Sequence, residues 1–373
     1  MRLKILHIGK YYPPFRGGVE KVTHDLVSGL RDEKHIVDVV SFNHKKGSSL
    51  EKTKSGTVYR FQTILKLFGQ PLSLKALLFI YKKTKDYDLV HLHLPNPLLS
   101  MIILLVKKQS KLIVHWHNDI TKQKYLLLLY KPFQTKILNS ADLILGSSPQ
   151  YIKSSKYLKP HSDKSIVVPL GVNKEDLRYS YEFFKKIQIK YKSKRVILSV
   201  GRLSKYKGFE YLIKSAKYMD NNTCIIIIGN GKELPFLKKI IWQESVDEKV
   251  KILTDVKQDQ LGAYYKLCDV FCMSSVSRNE GFGLVQIEAM LFRKPIITTN
   301  INGSGIAYGN IHQKTGLVVP VKDSLAIFTA YKQITKSDAD YIYFSKNAFD
   351  RANKIFRKDQ MIKLTLKAYN SIL

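Results

Sequence analysis

Cysteine is scarce in this chain of 373 residues, which contains only Cys224, Cys268 and Cys272. The three form no CxxC pair, and no histidine joins them at the spacing of metal ligands. The sequence therefore argues against a disulfide framework and against a cysteine-bound zinc ion. We expect three buried thiols in a reducing compartment.

Long apolar runs are absent as well. The longest, Leu98–Val106 and Tyr125–Tyr130, fall well short of the roughly 18 residues that a membrane-spanning helix needs. Met1–Gly9 is a strand-like run that the Pro13-Pro14 pair interrupts, so we expect no export signal. We expect a cytoplasmic protein, held peripherally at the inner face of the cytoplasmic membrane.

Acidic residues are few: 30 Asp and Glu stand against 62 Lys and Arg, which gives a net charge of +32. Such an excess favours polyanionic partners, namely nucleic acid, an anionic bilayer or phosphate-bearing substrates. Lysine is scattered along the whole chain, so a compositional bias is the alternative explanation, and both stay open.

Short apolar strands alternate with helical segments from end to end of the chain. This alternation predicts an α/β fold with two doubly wound, Rossmann-like parallel sheets. The pattern pauses over residues 173–194 and then restarts, so we predict one domain over 1–175 and a second over 193–352. Because such sheets bind ligands at the carboxyl ends of their strands, we expect a site in a cleft between the domains. The segment Asp338–Leu373 has a helical pattern throughout.

The strands predicted in this way are Arg2–Ile8, Ile36–Phe42, Leu89–Leu94, Leu112–His115, Leu143–Gly146, Ile166–Pro169, Arg195–Val200, Ile225–Ile228, Val250–Leu253, Val270–Met273, Ile296–Thr299 and Leu317–Pro320.

The strongest local signal is the segment Glu280–Met290, which follows the predicted strand Val270–Met273. Its two glycines, Gly281 and Gly283, let the backbone approach a ligand closely, and the helix that begins there presents N–H groups to an anion. Glu280 suits sugar hydroxyls, and Glu288 lies about two helical turns further on, where it suits a second diol such as a ribose.

A second signal is the loop Gly201–Gly208, which follows the first strand of the same domain. Arg202 can donate to phosphate oxygens in a forked geometry, and Lys207 adds a compact positive charge. This pair could neutralise a departing diphosphate, which is electrostatic stabilisation of a transition state.

Together these motifs resemble glycosyltransferase family 4, whose members are retaining enzymes with the GT-B fold. The resemblance covers essentially the whole chain, and its specificity comes from the order of the motifs. The motifs are Gly17-Gly18-Val19-Glu20, Pro169-Leu170-Gly171-Val172, the Gly201–Gly208 loop, Ile228-Gly229-Asn230-Gly231, Glu280 to Glu288, and Lys314-Thr315-Gly316-Leu317.

The resemblance implies a hexosyltransferase that moves a hexose-type sugar from a UDP-, GDP- or dTDP-sugar, as in O-antigen or capsule assembly. We expect the acceptor to be a lipid-linked glycan or oligosaccharide. The resemblance implies that Glu280, Arg202, Lys207 and His117 are catalytic, with His115 as the alternative to His117. It also implies that a helix over about 355–373 packs back on the N-terminal, acceptor-binding domain. The implied donor-binding residues are Gly17, Gly18, Gly229, Gly231, Thr254, Asp255, Val256, Gly281, Phe282, Gly283, Leu284, Val285 and Glu288.

The segment Leu253–Val256 departs from the family pattern, since many relatives carry a glycine there, and the preference for a base stays open. We expect no cofactor and no essential metal ion. The two Asp-x-Asp triplets, at residues 86–88 and 338–340, lie outside the expected site. We expect His91 and His93 to point to opposite faces of their strand and so not to bind one ion.

Basic residues beside apolar ones suit an anionic membrane surface. Core-facing amphipathic helices are the alternative explanation of the same pattern. Two other functions stay open, a sugar-nucleotide epimerase or other GT-B enzyme and a polyanion-binding protein, although the paired glutamates argue against nucleic acid as a partner. The basic residues are Lys75, Lys82, Lys83 and Lys85 around Leu77–Ile80, and Lys122, Lys124, Lys131 and Lys136 around Leu126–Tyr130 and Phe133.

Overall fold

A computed structural model describes residues 2–15, 17–67, 69–106, 109–120 and 124–373. The chain divides into two compact units. The first comprises Met1–Gly171 together with Lys358–Leu373, and the second comprises Val172–Arg357.

The first unit is built on an eight-stranded sheet with the order β10-β9-β8-β7-β1-β2-β4-β3, in which only the β3–β4 pair is antiparallel. Strands β5 and β6 form a separate two-stranded antiparallel sheet. The strands of the first unit are β1 Lys4–Ile8, β2 Ile36–Asn43, β3 Ser49–Thr53, β4 Gly56–Gln62, β5 Leu65–Leu67, β6 Gln70–Leu72, β7 Leu89–Leu94, β8 Lys111–Trp116, β9 Leu143–Gly146 and β10 Ser165–Val167. Its helices are α1 Gly18–Asp32, α2 Leu74–Lys83, α3 Pro97–Leu105, α4 Lys124–Ser140 and α5 Pro149–Ser154, with α14 Lys358–Asn370 added from the end of the chain.

The second unit contains a six-stranded sheet with the order β13-β12-β11-β14-β15-β16, and all its neighbouring strands are parallel. Its strands are β11 Arg195–Val200, β12 Thr223–Ile228, β13 Val250–Leu253, β14 Val270–Met273, β15 Ile296–Thr299 and β16 Gly316–Val319. Its helices are α6 Tyr181–Lys190, α7 Phe209–Ser215, α8 Leu234–Gln243, α9 Gln258–Leu267, α10 Leu284–Leu291, α11 Ile306–Gly309, α12 Ser324–Ile334 and α13 Asp338–Ile355.

The prediction of two doubly wound sheets is confirmed. The central strands are mostly apolar because helices cover both of their faces; Ile225, Ile226 and Ile227 of β12, for example, are all fully buried. The strand pairs β3–β4 and β5–β6 were not predicted. β3 is exposed along its whole length and carries polar side chains, so no apolar pattern marks it.

The strand order creates a switch point in each sheet, where the chain reverses its direction of winding. In the second unit the reversal lies between β11 and β14, and in the first unit it lies between β1 and β7. Ligands of doubly wound sheets bind at such points, beyond the carboxyl ends of the strands. The loops after β11 and β14 are the Gly201–Gly208 loop and the segment that leads to Gly281.

The carboxyl-terminal segment is not one continuous helix, which corrects the helical pattern expected over Asp338–Leu373. It breaks at Phe356 and Arg357, where the chain leaves the second unit. Phe356 is fully buried, with its ring edge-on to Phe282 and Tyr308 of the same unit. α14 then packs on α1, where Gly29 leaves room for the side chain of Ile362.

Candidate functional site

The turn at Gly281–Gly283 connects the loop after β14 to α10. Gly283 has φ +78°, in the left-handed region that favours glycine, and a Cβ there would lie 2.5 Å from Cε of Met273. The Gly281 carbonyl accepts a hydrogen bond from the Gly305 N–H at 2.8 Å, which fixes the turn against the loop after β15. The first turn of α10, which starts at Leu284 and includes Val285, therefore presents the positive end of a helix dipole at the switch point.

Glu280 lies just before this turn and is almost fully buried. Its Oε2 forms an ion pair with Nζ of Lys207 at 2.5 Å and accepts a hydrogen bond from the Ser275 hydroxyl at 2.9 Å. Burial by itself would lower the pKa of Lys207, but the Glu280 carboxylate outweighs that effect and raises it. Lys207 therefore stays charged beside the helix terminus.

The Gly201–Gly208 loop supplies this lysine. A Cβ at Gly201, whose φ is +157°, would lie 3.1 Å from Cε of Lys207, so the glycine leaves room for the buried lysine stem. Arg202 is exposed, while Lys207 is buried. The two cations that the sequence predicted thus differ: Lys207 is fixed by Glu280, and Arg202 lies at the surface of the same loop.

Glu288 lies within α10 and is buried. Its Oε2 accepts a hydrogen bond from the hydroxyl of Tyr265 at 2.7 Å, and the pKa of that tyrosine is raised by burial and by the carboxylate. Glu288 is thus held in place by a neighbour from α9. Its role in ribose binding stays a prediction.

Two glycines of the loop after β12 lie against the Gly201–Gly208 loop. A Cβ at Gly229 would clash with the carbonyl oxygen of Gly201, and one at Gly231 with that of Leu203. These glycines let two loop backbones pack closely, and their role in a nucleotide pocket stays a prediction. The segment Thr254–Val256, which the sequence predicts to contact the base, follows the edge strand β13, and the Thr254 hydroxyl donates to Asp255 at 3.1 Å.

In the first unit, Gly17 and Gly18 lie where α1 begins. A Cβ at Gly17 would clash with the carboxylate of Glu20, whereas nothing lies within 4 Å of one at Gly18. The backbone at Gly18 is therefore the more accessible of the two.

His117 follows β8 directly and is half-buried, whereas His115 is completely buried. The Nε2 of His117 lies 2.9 Å from Nδ1 of His93, and the rings of His115 and His117 stack at 4.3 Å. The pKa of His117 lies well below its ordinary value because of burial and the neighbouring His115. His117 is therefore a neutral imidazole with one side towards solvent.

The expectation that His91 and His93 point to opposite faces is wrong. Residues two apart on a strand share a face, and the two rings stack with centroids 4.7 Å apart. His7 of β1 joins them, with Nδ1 3.0 Å from Nε2 of His93. The sequence therefore contained a signal for a histidine cluster that its interpretation missed.

The two Asp-x-Asp triplets make local contacts. Asp86 pairs with Lys83 at 3.1 Å, and Asp88 accepts a hydrogen bond from the Lys4 N–H at 2.7 Å. Asp340 accepts from the hydroxyl of Ser337, the residue that caps α13, at 2.7 Å.

Ser275 and Tyr265, which hold the two glutamates of the site, were not predicted, because hydroxyl partners leave no motif in the sequence.

The chain matches two family models that meet near the boundary between the units. Residues 16–176 match the model described as Glycosyltransferase Family 4, and residues 180–351 match Glycosyl transferases group 1. Together the models cover the second sheet and all strands of the first sheet except β1.

Two relatives named for sugar transfer align over nearly the full length. One is the O-antigen chain mannosyltransferase C of Escherichia coli, 28% identical, with 100% of this chain and 99% of the relative covered. The other is the D-rhamnosyltransferase WbpZ of Pseudomonas aeruginosa, 26% identical, with 95% and 92% covered. The fold matches the solved structure of Anabaena Alr3699/HepE in complex with UDP, with a TM-score of 0.80, 18% identity and coverage of 99% and 100%.

Proposed function

Because the chain belongs to the GT-B glycosyltransferases of group 1 and family 4, we propose that it transfers a hexose-type sugar from a nucleotide-diphosphate donor to a lipid-linked glycan during polysaccharide assembly. The observation that carries the proposal is the buried Lys207–Glu280 pair at the start of α10. A fixed cation and a helix amino terminus at a sheet's switch point suit a diphosphate.

Polysaccharide assembly and the donor are supported by different relatives. The two full-length relatives are an O-antigen mannosyltransferase and a rhamnosyltransferase, and both names describe sugar transfer and not epimerisation. The Anabaena protein was solved with UDP. A nucleoside diphosphate is the chemistry that we propose for the second unit of this chain.

In the proposed reaction, the bond between the anomeric carbon and the diphosphate oxygen breaks through an oxocarbenium-like state. The acceptor hydroxyl attacks from the face that the diphosphate leaves, which retains the configuration, and its proton passes to the departing diphosphate. Lys207, Arg202 and the amino terminus of α10 stabilise the charge that develops on the leaving group. Glu280 positions Lys207 and accepts hydrogen bonds from the donor sugar. Neutral His117 forms a further hydrogen bond with the donor sugar.

The assay for this proposal combines labelled UDP-, GDP- and dTDP-sugars with a lipid-linked glycan acceptor. We expect one donor to label the lipid product. NMR of that product should show the same anomeric configuration as in the donor. Glu280→Gln should lower kcat at least about a hundredfold, the scale of losing one fixed electrostatic contact in a transition state. The exposed Glu248 provides the matched control, and Glu248→Gln should behave as the parent. Equal rates for the two variants would reject the assignment of Glu280.

We also propose that the first unit docks on an anionic membrane surface, where lipid-linked acceptors reside. Large apolar side chains of α2, α3 and α4 are exposed, including Leu78 at 58%, Leu105 at 70% and Leu129 at 74%. α3 packs against both α2 and α4, so the three helices form adjacent ridges. Among the helices of the described residues, none is long and apolar enough to cross a membrane.

Two of these helices, α2 and α4, also carry exposed lysines. Lys75 and Lys82 of α2 and Lys131 and Lys136 of α4 are exposed, whereas Lys122 lies outside the described residues and the side chain of Lys124 is not described. Each well-placed lysine contributes about 1 kcal/mol at an anionic surface. Exposed leucines suit the apolar interior of a bilayer, and lysines suit its anionic headgroups. The mixture therefore favours docking on an anionic membrane surface.

Vesicle sedimentation tests the membrane proposal. We expect binding to vesicles with anionic lipid and little binding to neutral vesicles. Lys75→Glu with Lys82→Glu should abolish it, while Lys346→Glu with Lys354→Glu, on exposed positions of α13 in the second unit, should not. Equal binding to neutral vesicles would remove the electrostatic part of the proposal.

A further inference from the structure

Five histidines of the first unit form one cluster in which only His117 has a role in the proposed transfer. His7 of β1 is level with His91 of β7, and His93 of β7 is level with His115 of β8. His117 follows on the same face of β8, and neighbouring rings lie 4.3–5.4 Å apart.

These imidazoles are neutral, because burial lowers the pKa of His7 and of His115 to about 3 and lowers the pKa values of the other three as well. A neutral imidazole is the form that binds metal ions. Among the described residues, the buried Nε2 atoms of His7 and His115 have no hydrogen-bond partner. An unpaired polar atom in a core carries a free-energy cost that a ligand would remove.

We propose that His93, His115 and His117 bind one divalent transition-metal ion, of the class of Zn²⁺, Co²⁺ or Ni²⁺. One nitrogen from each of these rings lies within 4.8 Å of the others. Nitrogen ligands without a carboxylate favour this class over Mg²⁺ and Ca²⁺, which bind oxygen. An inner trio, His7, His91 and His93, meets the same distance criterion, but the outer trio includes His117, the least buried residue of the cluster.

The hydrogen bonds of the cluster match this assignment. His93 Nε2 lies 3.0 Å from His7 Nδ1, and His115 Nδ1 lies 3.2 Å from His91 Nε2. His93 Nδ1, His115 Nε2 and His117 Nε2 are then the ligand atoms. His7 is hydrogen-bonded to the remaining nitrogen of His93, and His91 to the remaining nitrogen of His115. Metal-bound histidines commonly have such an outer partner. The hydroxyl of Tyr369, 2.5 Å from Nδ1 of His91, continues the chain of contacts.

Binding requires the rings to shift and to rotate from their stacked arrangement, because the three nitrogens lie within 4.8 Å of one another and the ring planes are nearly parallel. Nitrogens that share a tetrahedral zinc ion at about 2.0–2.1 Å lie about 3.3 Å apart, whereas His93 Nδ1 and His117 Nε2 are 2.9 Å apart. The hydrogen bond between these two rings is exchanged for two bonds to the ion. The ring that donates this hydrogen bond changes tautomer, so that its single N–H moves to its other nitrogen. Each neutral ring then donates a lone pair to the ion, with no net release of a proton.

The test is a Co²⁺ titration of the full chain, without an affinity tag and after removal of metals by a chelator. We expect one equivalent of Co²⁺ to bind with visible absorption bands of a four-coordinate site, and excess Mg²⁺ not to compete. His115→Asn should weaken binding by about 10–100-fold or more, since loss of an outer partner alone has that effect. The exposed His44 provides the control, and His44→Asn should bind as the parent does.

Circular dichroism of the metal-free variants shows whether His115→Asn is folded, and the titration of the parent chain tests the site without any substitution. Absence of stoichiometric Co²⁺ binding would overturn the proposal. So would equal weakening by His44→Asn and His115→Asn. If His7→Asn abolishes binding while His115→Asn does not, the ion binds the inner trio and the outer assignment is wrong.

A consequence for activity rests on the proposed function. An ion on His117 removes that imidazole from the sugar, so Zn²⁺ should inhibit transfer and a chelator should restore it, while His115→Asn should make the enzyme less sensitive. Co²⁺ binding does not depend on any transferase assay. Failure of the proposed function therefore leaves the metal site testable, and failure of the metal site leaves the transfer testable.

Discussion

The buried ion pair between Lys207 and Glu280 allows a quantitative test by double substitution. The side chains are 11% and 9% exposed, and the atoms Nζ and Oε2 are 2.5 Å apart. Lys207→Met removes the cation and leaves the Glu280 carboxylate with the Ser275 hydroxyl. Breaking a buried pair in this way typically destabilises a protein by about 3–5 kcal/mol, because an uncompensated charge stays in the core.

For a unit of 150–250 residues, 1 kcal/mol shifts Tm by about 2–4 °C, so the transition of the second unit should fall by roughly 6–20 °C in differential scanning calorimetry. The double variant Lys207→Met with Glu280→Gln has no charge at this position. We expect it to recover most of the lost Tm but none of the transferase activity, since the diphosphate still lacks its cation. A single variant with an unchanged Tm, or a double variant as unstable as the single one, would refute the reasoning.

Three other predictions concern stability at low pH, the backbone at Gly283 and turnover in a chelator. His7 and His115 are fully buried with pKa values near 3, below the ordinary 6.5. The unfolded chain therefore binds more protons, and the two residues should lower the stability of the first unit by roughly 3 kcal/mol per pH unit as the pH falls below about 6.5; a flat stability profile in urea unfolding, followed by Trp116 fluorescence in a Trp242→Phe chain, would contradict this. Gly283→Ala should destabilise the second unit by at least about 1 kcal/mol, because its φ is +78° and Cε of Met273 lies 2.5 Å from the added methyl; an unchanged Tm would contradict this. Turnover should persist in excess chelator, and activity lost there but restored by one added metal would reject the expectation of no essential ion.

The two sheets were predictable because the central strands are buried on both faces and form short continuous apolar runs. The strands Arg195–Val200 and Val270–Met273 have the predicted bounds. β3 was not predicted because it is polar and exposed. The break at Phe356 was not predicted because the helical pattern of the sequence continues across it. That break depends on where the chain leaves the second unit, which is a property of packing.

The candidate site was predictable where its chemistry is local in sequence. Glu280, the glycine turn and Gly201–Gly208 each follow a strand that the apolar pattern reveals. The pairing of Lys207 with Glu280 was not predictable, because it joins two loops through the order of β11 and β14. The histidine cluster was within reach, since His-x-His occurs on two strands that both run through the sheet, and side chains at that spacing share a face.

The most direct test of the central claim is calorimetric titration of the chain with UDP, GDP, dTDP and ADP. One nucleoside diphosphate should bind each chain saturably, and Arg202→Ala should weaken it at least about tenfold, as expected for loss of a charge-assisted phosphate contact of about 1.5–3 kcal/mol. Lys239→Ala, at an exposed position of the same unit, should bind as the parent does. Absence of saturable binding by every diphosphate, or parental affinity in Arg202→Ala, would contradict the assignment of the second unit as a diphosphate-binding domain.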